Sequence, residues 1–120
     1  DSMLIVGGEN VYPAEIEKLC TFLPGASQIV LVGIDHAVWG KELVLAYQTE
    51  NDVVPSLASW HRILTEKLAA AKIPQRYVPI KDLGLRDFPR KENGKLDRRA
   101  LTDLMKTHTS PAFNTSQQNA

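Results

Sequence analysis

The sequence predicts an α+β domain, in which a small, mainly antiparallel sheet of about three strands is packed by helices and preceded by a two-stranded hairpin. Two patterns lead to this prediction. Short runs of aliphatic and β-branched residues, bounded by glycine, proline or polar residues, indicate strands at 3–6, 29–34 and 43–47. Between these runs, apolar residues recur every three to four positions, which is the period of one face of a helix.

The first predicted elements are a hairpin and a helix. The apolar run at 3–6 is followed by a turn at 7–10 and a short returning strand at 11–12. Pro13 suits the first turn of a helix, because the N–H that proline lacks would be unpaired there. The helix carries one apolar stripe, formed by Ile16, Leu19, Cys20 and Leu23. Pro24, followed by glycine, ends it.

Two central strands and a longer helix come next. Residues 29–34 are apolar enough for a strand covered on both faces, and 43–47 form a second strand antiparallel to it across a loop at 35–41. After a polar connection, Pro55 opens a helix that ends before Pro74. The apolar side of this helix is formed by Leu57, Trp60, Leu64, Leu68 and Ala71.

The last predicted elements are a third strand, a basic loop and a short helix. The strand covers 76–80, and Pro79 favours an edge position because it lacks a ladder donor. The short helix docks through Ala100, Leu101 and Leu104. Polar residues dominate beyond it, so we expect a disordered tail at 107–120 and a folded domain at 1–106.

Composition narrows the possible functions. At 120 residues and 13.3 kDa the chain is large enough for one domain with a modest core. Its 14 basic residues are balanced by 14 acidic ones, which argues against bulk nucleic-acid binding. No apolar run approaches the roughly 20 residues that a membrane span requires, so we expect none.

A single cysteine, Cys20, excludes an internal disulfide and a zinc cluster. Its place on the apolar stripe predicts a buried core thiol, which suits a reducing compartment, and we expect a cytoplasmic protein. Because strand-like sequence begins almost immediately after Asp1, we also expect the chain to be a piece of a longer protein.

The basic loop at 89–95, which ends in Lys95, is the clearest candidate site. Residues 90–99 carry five positive and two negative side chains in a chain of zero net charge. Such a local field indicates phosphate or carboxylate chemistry, although a solvated basic turn is the simpler alternative. The loop is not a P-loop, because Pro89 stands where that motif needs glycine and Leu96 where it needs serine or threonine.

Two motifs together carry a family resemblance. Gly-Gly-Glu-Asn-Val-Tyr-Pro-Ala-Glu-Ile-Glu occupies 7–17, and Pro-x4-Gly-Lys occupies 89–95. In this order they resemble the C-terminal domain of the adenylate-forming enzymes, which include acyl- and aryl-CoA synthetases, firefly luciferase and peptide-synthetase adenylation domains. The resemblance runs from Asp1 to about Lys106, and the first motif is more similar to that of CoA ligases than to that of peptide synthetases.

The resemblance implies a reaction in two halves: a carboxylic acid and ATP give an acyl-adenylate, and CoA then displaces AMP. Lys95 matches the catalytic lysine of the first half. Asp1 matches the hinge about which this mobile domain rotates between the halves. ATP, its Mg²⁺ and the acid would be bound mainly by the N-terminal domain, which is absent here and is the expected partner; no metal ligands are expected in this chain.

The resemblance also implies CoA contacts at Gly8, Glu9, Trp39 and Lys72. Gly8 would let the thin pantetheine arm pass close to the backbone, and Lys72 could meet CoA phosphates. Ala71 departs from the aromatic residue usual before that lysine. The remaining candidate side chains, His36, His61 and His108, lack an acid partner at catalytic spacing, so we expect all of them at the surface.

Three alternatives remain open. The chain could be a stand-alone module that binds CoA or a partner protein through the basic loop. It could belong to a peptide-synthetase-type adenylation domain. It could bind RNA through 90–99, although it lacks the interleaved exposed aromatics of a stacking platform.

Overall fold

The computed structural model describes residues 3–108 and 113–114, and within them it confirms the α+β class. The elements in order are β1 (Leu4–Val6), β2 (Glu9–Val11), α1 (Pro13–Cys20), β3 (Ala26–His36), β4 (Gly40–Thr49), α2 (Leu57–Lys67), β5 (Arg76–Pro79), α3 (Arg98–Lys106) and β6 (Phe113–Asn114). Strands β1 and β2 form a separate antiparallel hairpin, as predicted, and the other strands form a sheet in the order β3-β4-β5-β6.

The main sheet is built on a long β3–β4 hairpin. Its antiparallel register runs from Ala26 opposite Thr49 to His36 opposite Gly40, so both strands are longer than predicted and the loop between them is shorter. Strand β5 lies parallel to β4, and β6 lies antiparallel to β5. The sheet is therefore mixed, with antiparallel pairs in the majority. Because β6 pairs only with Arg76 and Tyr77, the predicted edge position applies to Pro79 but not to the start of β5.

The sheet separates two hydrophobic cores, because successive side chains of a strand point to opposite faces. On one face, β1, β2, α1 and α2 pack on Leu31, Leu43, Leu45, Tyr47 and Tyr77. On the other face, α3 and the segment 80–88 pack on Val30, Val32, Val44, Ala46 and Val78. The hairpin and α3 therefore lie on opposite sides of the sheet.

The turn of the β1–β2 hairpin requires both of its glycines. Gly7 has φ 56° and Gly8 has φ 83°, and two consecutive left-handed residues are the signature of the turn that suits the twist of a two-residue hairpin. A further glycine, Gly33 of β3, lets the hairpin dock on the sheet. A Cβ at Gly33 would lie 2.7 Å from a methyl carbon of Leu4.

Helix α2 is shorter than predicted and buries one residue that we expected at the surface. It ends at Lys67, and a separate 3-10 turn covers Ala70–Lys72. Trp60 is buried as predicted, and its indole N–H donates to Pro24 O at 2.9 Å. The surface prediction for His61 is wrong: the side chain is buried, with Nδ1 2.7 Å from the Tyr77 hydroxyl. His36 and His108 are half-buried, so each keeps part of its side chain at the surface.

Helix α3 is capped at its start by Asp97, a cap that the sequence analysis did not single out. The Asp97 carboxylate accepts a hydrogen bond of 3.0 Å from the N–H of Ala100, and Leu101 and Met105 are the buried residues. Of the disordered tail predicted at 107–120, residues 109–112 and 115–120 lie outside the described residues. That prediction stays untested there, while Phe113–Asn114 pair with β5.

Candidate functional site

The loop that carries Lys95 is a tight, hydrogen-bonded turn. The N–H of Gly94 donates to Lys91 O at 2.9 Å, and the N–H of Lys91 donates to Lys95 O at 2.8 Å. Gly94 has φ 84°, a left-handed conformation that a residue with a side chain rarely adopts. The backbone of this segment is therefore organised as a small hairpin.

The Lys95 backbone is anchored while its ammonium group is exposed. Its N–H donates to Asn93 Oδ1 at 3.0 Å. Next to it, Leu96 packs against the core beside Phe88 and pairs with Arg90 across the loop. Among the described residues, no hydrogen bond or ion pair engages the side chain of Lys95. A fixed backbone with an uncommitted cation is suited to binding an anion from outside this domain.

The basic cluster around Lys95 is smaller than its sequence indicates. Arg98 is turned away and held by Glu17 of α1 through a bidentate ion pair, with N–O distances of 2.8 and 3.2 Å. Glu17 therefore offsets one of the five positive charges counted at 90–99. Arg90 donates to Gly94 O at 3.1 Å and supports the turn. Lys91 and Arg99 remain exposed beside Lys95.

The residues predicted to contact CoA gather at the hairpin, on the opposite side of the sheet from α3. Gly7, Glu9 and Trp39 line a groove of about 360 Å³ together with Ala70 and Ala71. Lys72 is the next residue along the chain, although it is not among those that line the groove. Gly8 and Trp39 share an adjoining, more open depression.

Trp39 is the exposed aromatic residue of this surface, with 56% of the residue accessible. Its backbone is fixed, because its N–H donates to His36 Nδ1 at 3.1 Å and its carbonyl accepts from the N–H of Gly7 at 2.8 Å. A Cβ at Gly7 would lie 3.3 Å from the indole ring, whereas a Cβ at Gly8 would meet nothing within 4 Å. The indole ring of Trp39 therefore fills the space next to Gly7, whereas the space next to Gly8 is open.

Comparisons with known proteins identify the relatives. The chain is 37% identical over 100 residues to a fatty acid–[acyl-carrier-protein] ligase, ScoC, of Streptomyces coeruleorubidus, over 83% of this chain and 18% of that protein. It is 35% identical over 99 residues to a 2-succinylbenzoate–CoA ligase of Staphylococcus epidermidis, over 82% of this chain and 19% of that one. The o-succinylbenzoate CoA synthetase MenE of Bacillus subtilis, solved with an acyl-adenylate intermediate, superposes with a TM-score of 0.71 at 31% identity, over 84% of this chain and 19% of that one.

The chain belongs to the superfamily of acyl- and aryl-CoA ligases. It spans about one fifth of the length of the relatives that it matches, as a single domain of such a ligase does. No protein-family model matches it. Family membership therefore rests on sequence and structural relatives together, and it confirms the resemblance that the two motifs carry.

Two residues that shape the basic loop and the groove at the hairpin were not predicted from the sequence. Lys41 lines both depressions beside Trp39 and makes an ion pair of 2.5 Å with Asp35. Through this hydrogen bond and its charge, Lys41 lowers the pKa of the exposed Asp35 carboxyl. The other is Glu17, whose partner Arg98 lies 81 residues away. The register of the β3–β4 hairpin could have indicated the first pair, but no local signal indicates the second.

Several predictions concern features outside this geometry. Asp1 lies outside the described residues, so its hinge role stays a prediction. Among residues 3–108 and 113–114, no group of three or more histidine, cysteine or acidic side chains is arranged to hold a metal ion. Over the same ranges, no helix has the length and apolar character that crossing a bilayer requires.

Proposed function

We propose that this chain is the mobile C-terminal lid domain of an ATP-dependent carboxylic acid–CoA ligase. The observation that carries the proposal is that two candidate binding surfaces lie on opposite sides of the main sheet. An uncommitted ammonium group, Lys95, lies on the side of α3, and a groove lined by Gly7 and Trp39 lies on the side of the hairpin. Two distinct surfaces on one rigid body suit a domain that serves two half-reactions in turn.

In the first half-reaction, a carboxylate oxygen of the acid attacks the α-phosphorus of ATP, and the bond to the pyrophosphate oxygen breaks. Both reactants are anions, and negative charge accumulates on the phosphate oxygens in the transition state. A fixed cation directed at those oxygens lowers the barrier. Lys95 supplies a compact charge that can reach several oxygens, and its anchored backbone limits the reorganisation needed at the moment of reaction.

In the second half-reaction, the thiol sulfur attacks the carbonyl carbon of the acyl-adenylate, a thioester forms and AMP leaves. The hairpin side suits the approach of a thin pantetheine arm, because Gly8 leaves open space along the backbone and Trp39 offers an exposed apolar wall. Glu9 and Lys72 stand near this path, where Lys72 would meet a phosphate. Lys41 adds a second cation at the same surface.

Binding of the other reactants would be the task of a second domain. ATP, its Mg²⁺ and the carboxylic acid would be bound by an N-terminal domain, and Asp1 would act as the hinge between it and this lid. The protein would work in the cytoplasm, without nucleic acid or a membrane span.

A substitution of Lys95 tests the adenylation role. In the complete ligase that carries this domain, Lys95→Ala should lower the rate of ATP–pyrophosphate exchange by about 100- to 1,000-fold, because the transition state loses its charge partner. Lys91→Ala is the matched control, since Lys91 is exposed in the same turn. Thioester formation from supplied acyl-adenylate should remain unchanged in both variants. Exchange that survives in Lys95→Ala would contradict the role.

A carrier-protein thiol is the second candidate for the acceptor. The relative from Streptomyces coeruleorubidus is named as a ligase to acyl-carrier protein, and a pantetheine arm is the chemical part that such a carrier shares with CoA. Comparing CoA with a phosphopantetheinylated carrier protein in the thioester step of the complete ligase distinguishes the two acceptors.

A further inference from the structure

The ion pair between Glu17 and Arg98 joins three elements at one edge of the main sheet. Strand β3 is the first strand of that sheet, and within residues 3–108 and 113–114 no strand pairs with its outer edge. Glu17 Oε2 accepts a hydrogen bond of 2.7 Å from the N–H of Leu31 in β3, and Arg98 donates to the carbonyl of the same residue. The pair thus satisfies both backbone groups of Leu31, as a neighbouring strand would.

The geometry of this pair is rigid. The two terminal guanidinium nitrogens of Arg98, Nη1 and Nη2, each donate to a different carboxylate oxygen of Glu17, an arrangement that fixes orientation as well as distance. The side chains are only 32% and 19% exposed, so solvent competes weakly for them. One end of α3 is therefore clamped to both α1 and β3.

The clamped end of α3 is the end that carries Lys95. Arg98 is the first residue of α3, and Asp97 before it donates its N–H to Pro89 O at 2.8 Å, which closes the base of the Lys95 turn. The buried anchors of α3, Leu101 and Met105, lie one and two turns further along. Without Arg98, α3 would stay docked through these residues, but its first turn could shift.

We infer that the Glu17–Arg98 pair is a positioning device that sets where the Lys95 ammonium is presented. This inference rests on the proposed adenylation role of Lys95. Arg98 touches no reactant; it acts through the backbone of residues 95–97. A displacement of about 1 Å at a reacting group can cost up to about 100-fold in rate, so a clamp three residues from the cation has a measurable effect on the chemical step.

The first experiment compares Arg98→Met with Arg99→Met in the complete ligase. Arg99 is the adjacent exposed arginine and controls for the loss of one positive charge. We expect Arg98→Met to lower the kcat of ATP–pyrophosphate exchange by about 10- to 100-fold with KM for ATP nearly unchanged. Arg98→Lys should recover part of the loss. Thioester formation from supplied acyl-adenylate, which uses the other side of the sheet, should be unaffected.

The deciding experiment repeats Arg98→Met in a Lys95→Ala background. If Arg98 acts through Lys95, the second substitution causes no further loss of exchange. An equal fold-loss with and without Lys95, or a matching loss in thioester formation, would overturn the inference. A Lys95→Ala variant that retains exchange would instead refute the proposed function itself. Should Arg98→Met fail to fold, Glu17→Gln gives the same comparison, because its amide oxygen can still accept from Leu31.

Discussion

His61 is a polar residue whose location is set by the packing of the fold and not by the polarity of its side chain. Its ring is buried between α2 and β5, and burial lowers its pKa below the ordinary value. Burial likewise raises the pKa of its partner Tyr77, and it raises the pKa of Cys20 to about 12, with the charge of Glu17 adding to the effect. The side chains of His61, Tyr77 and Cys20 are therefore uncharged near neutral pH and belong to the core. The exposed ammonium group of Lys95, by contrast, is accessible to an anionic reactant.

The lowered pKa of His61 predicts a stability that depends on pH. The unfolded chain takes up a proton near pH 6.5, the ordinary value, while the folded ring resists protonation until a lower pH. The contribution to stability is therefore fully present above pH 6.5 and is lost as the pH falls towards the folded pKa. We expect the free energy of unfolding by urea, followed through tryptophan fluorescence, to decline as the pH falls below 6.5.

A matched variant isolates this contribution from the other titrating groups. His61→Gln keeps an amide that can hydrogen-bond to the Tyr77 hydroxyl but cannot titrate, so the decline below neutral pH should become shallower. An unchanged slope in His61→Gln would assign the dependence to other residues.

At the scale of elements, local sequence patterns predicted the parts that are stabilised locally. Pro13 opens α1, Gly7 and Gly8 form the turn of the first hairpin, and continuous apolar runs define the central parts of β3 and β4. The extension of β3 and β4 was missed, because the polar residues at their far ends, such as Asp35 and Lys41, pair across the ladder. The pairing of β5 with β4 in parallel depends on the path of α2 between them, which no local pattern determines.

The turn before α3 allows a test of how far Lys95 depends on its local structure. Gly94 has φ 84°, and a Cβ there would meet nothing within 4 Å, so only backbone strain opposes a side chain. Asparagine tolerates this conformation, whereas a β-branched residue does not. We expect Gly94→Val to lower the rate of ATP–pyrophosphate exchange by about tenfold or more, because the turn reshapes and Lys95 moves.

Gly94→Asn is the control for this prediction. It should retain most of the exchange rate, because the left-handed conformation is preserved. Equal activity of the two variants would mean that the turn conformation does not position Lys95.

At the scale of the whole molecule, the central sheet keeps the Lys95 turn and the Trp39 groove on opposite sides of one body. A rigid body with two working surfaces cannot present both to one reaction centre at once. The proposed lid would therefore alternate between two orientations. Neither surface encloses a reactant by itself, since the groove is open and the lysine is exposed.

This openness predicts that the isolated chain folds but has no ligase activity. In isothermal titration we expect weak or no binding of CoA, because a single open surface buries too little of the ligand. Addition of the chain to the large N-terminal region of the same ligase should restore some ATP–pyrophosphate exchange. Micromolar affinity of the isolated chain for CoA would instead support the stand-alone binding module.

The sequence by itself determined the α+β class, the order of most elements, the family and the candidate lysine. The signals behind these predictions are turn residues, helix-starting prolines, apolar periodicity and the two motifs, and each depends only on residues that are close together in the sequence. The tertiary structure decided which charges remain available and which are committed. Arg98 was counted in the basic cluster, yet it is paired with Glu17, a residue 81 positions away. His61 was expected at the surface, yet the packing of α2 on β5 buries it. Both outcomes depend on contacts between distant segments, which form only when the sheet brings those segments together.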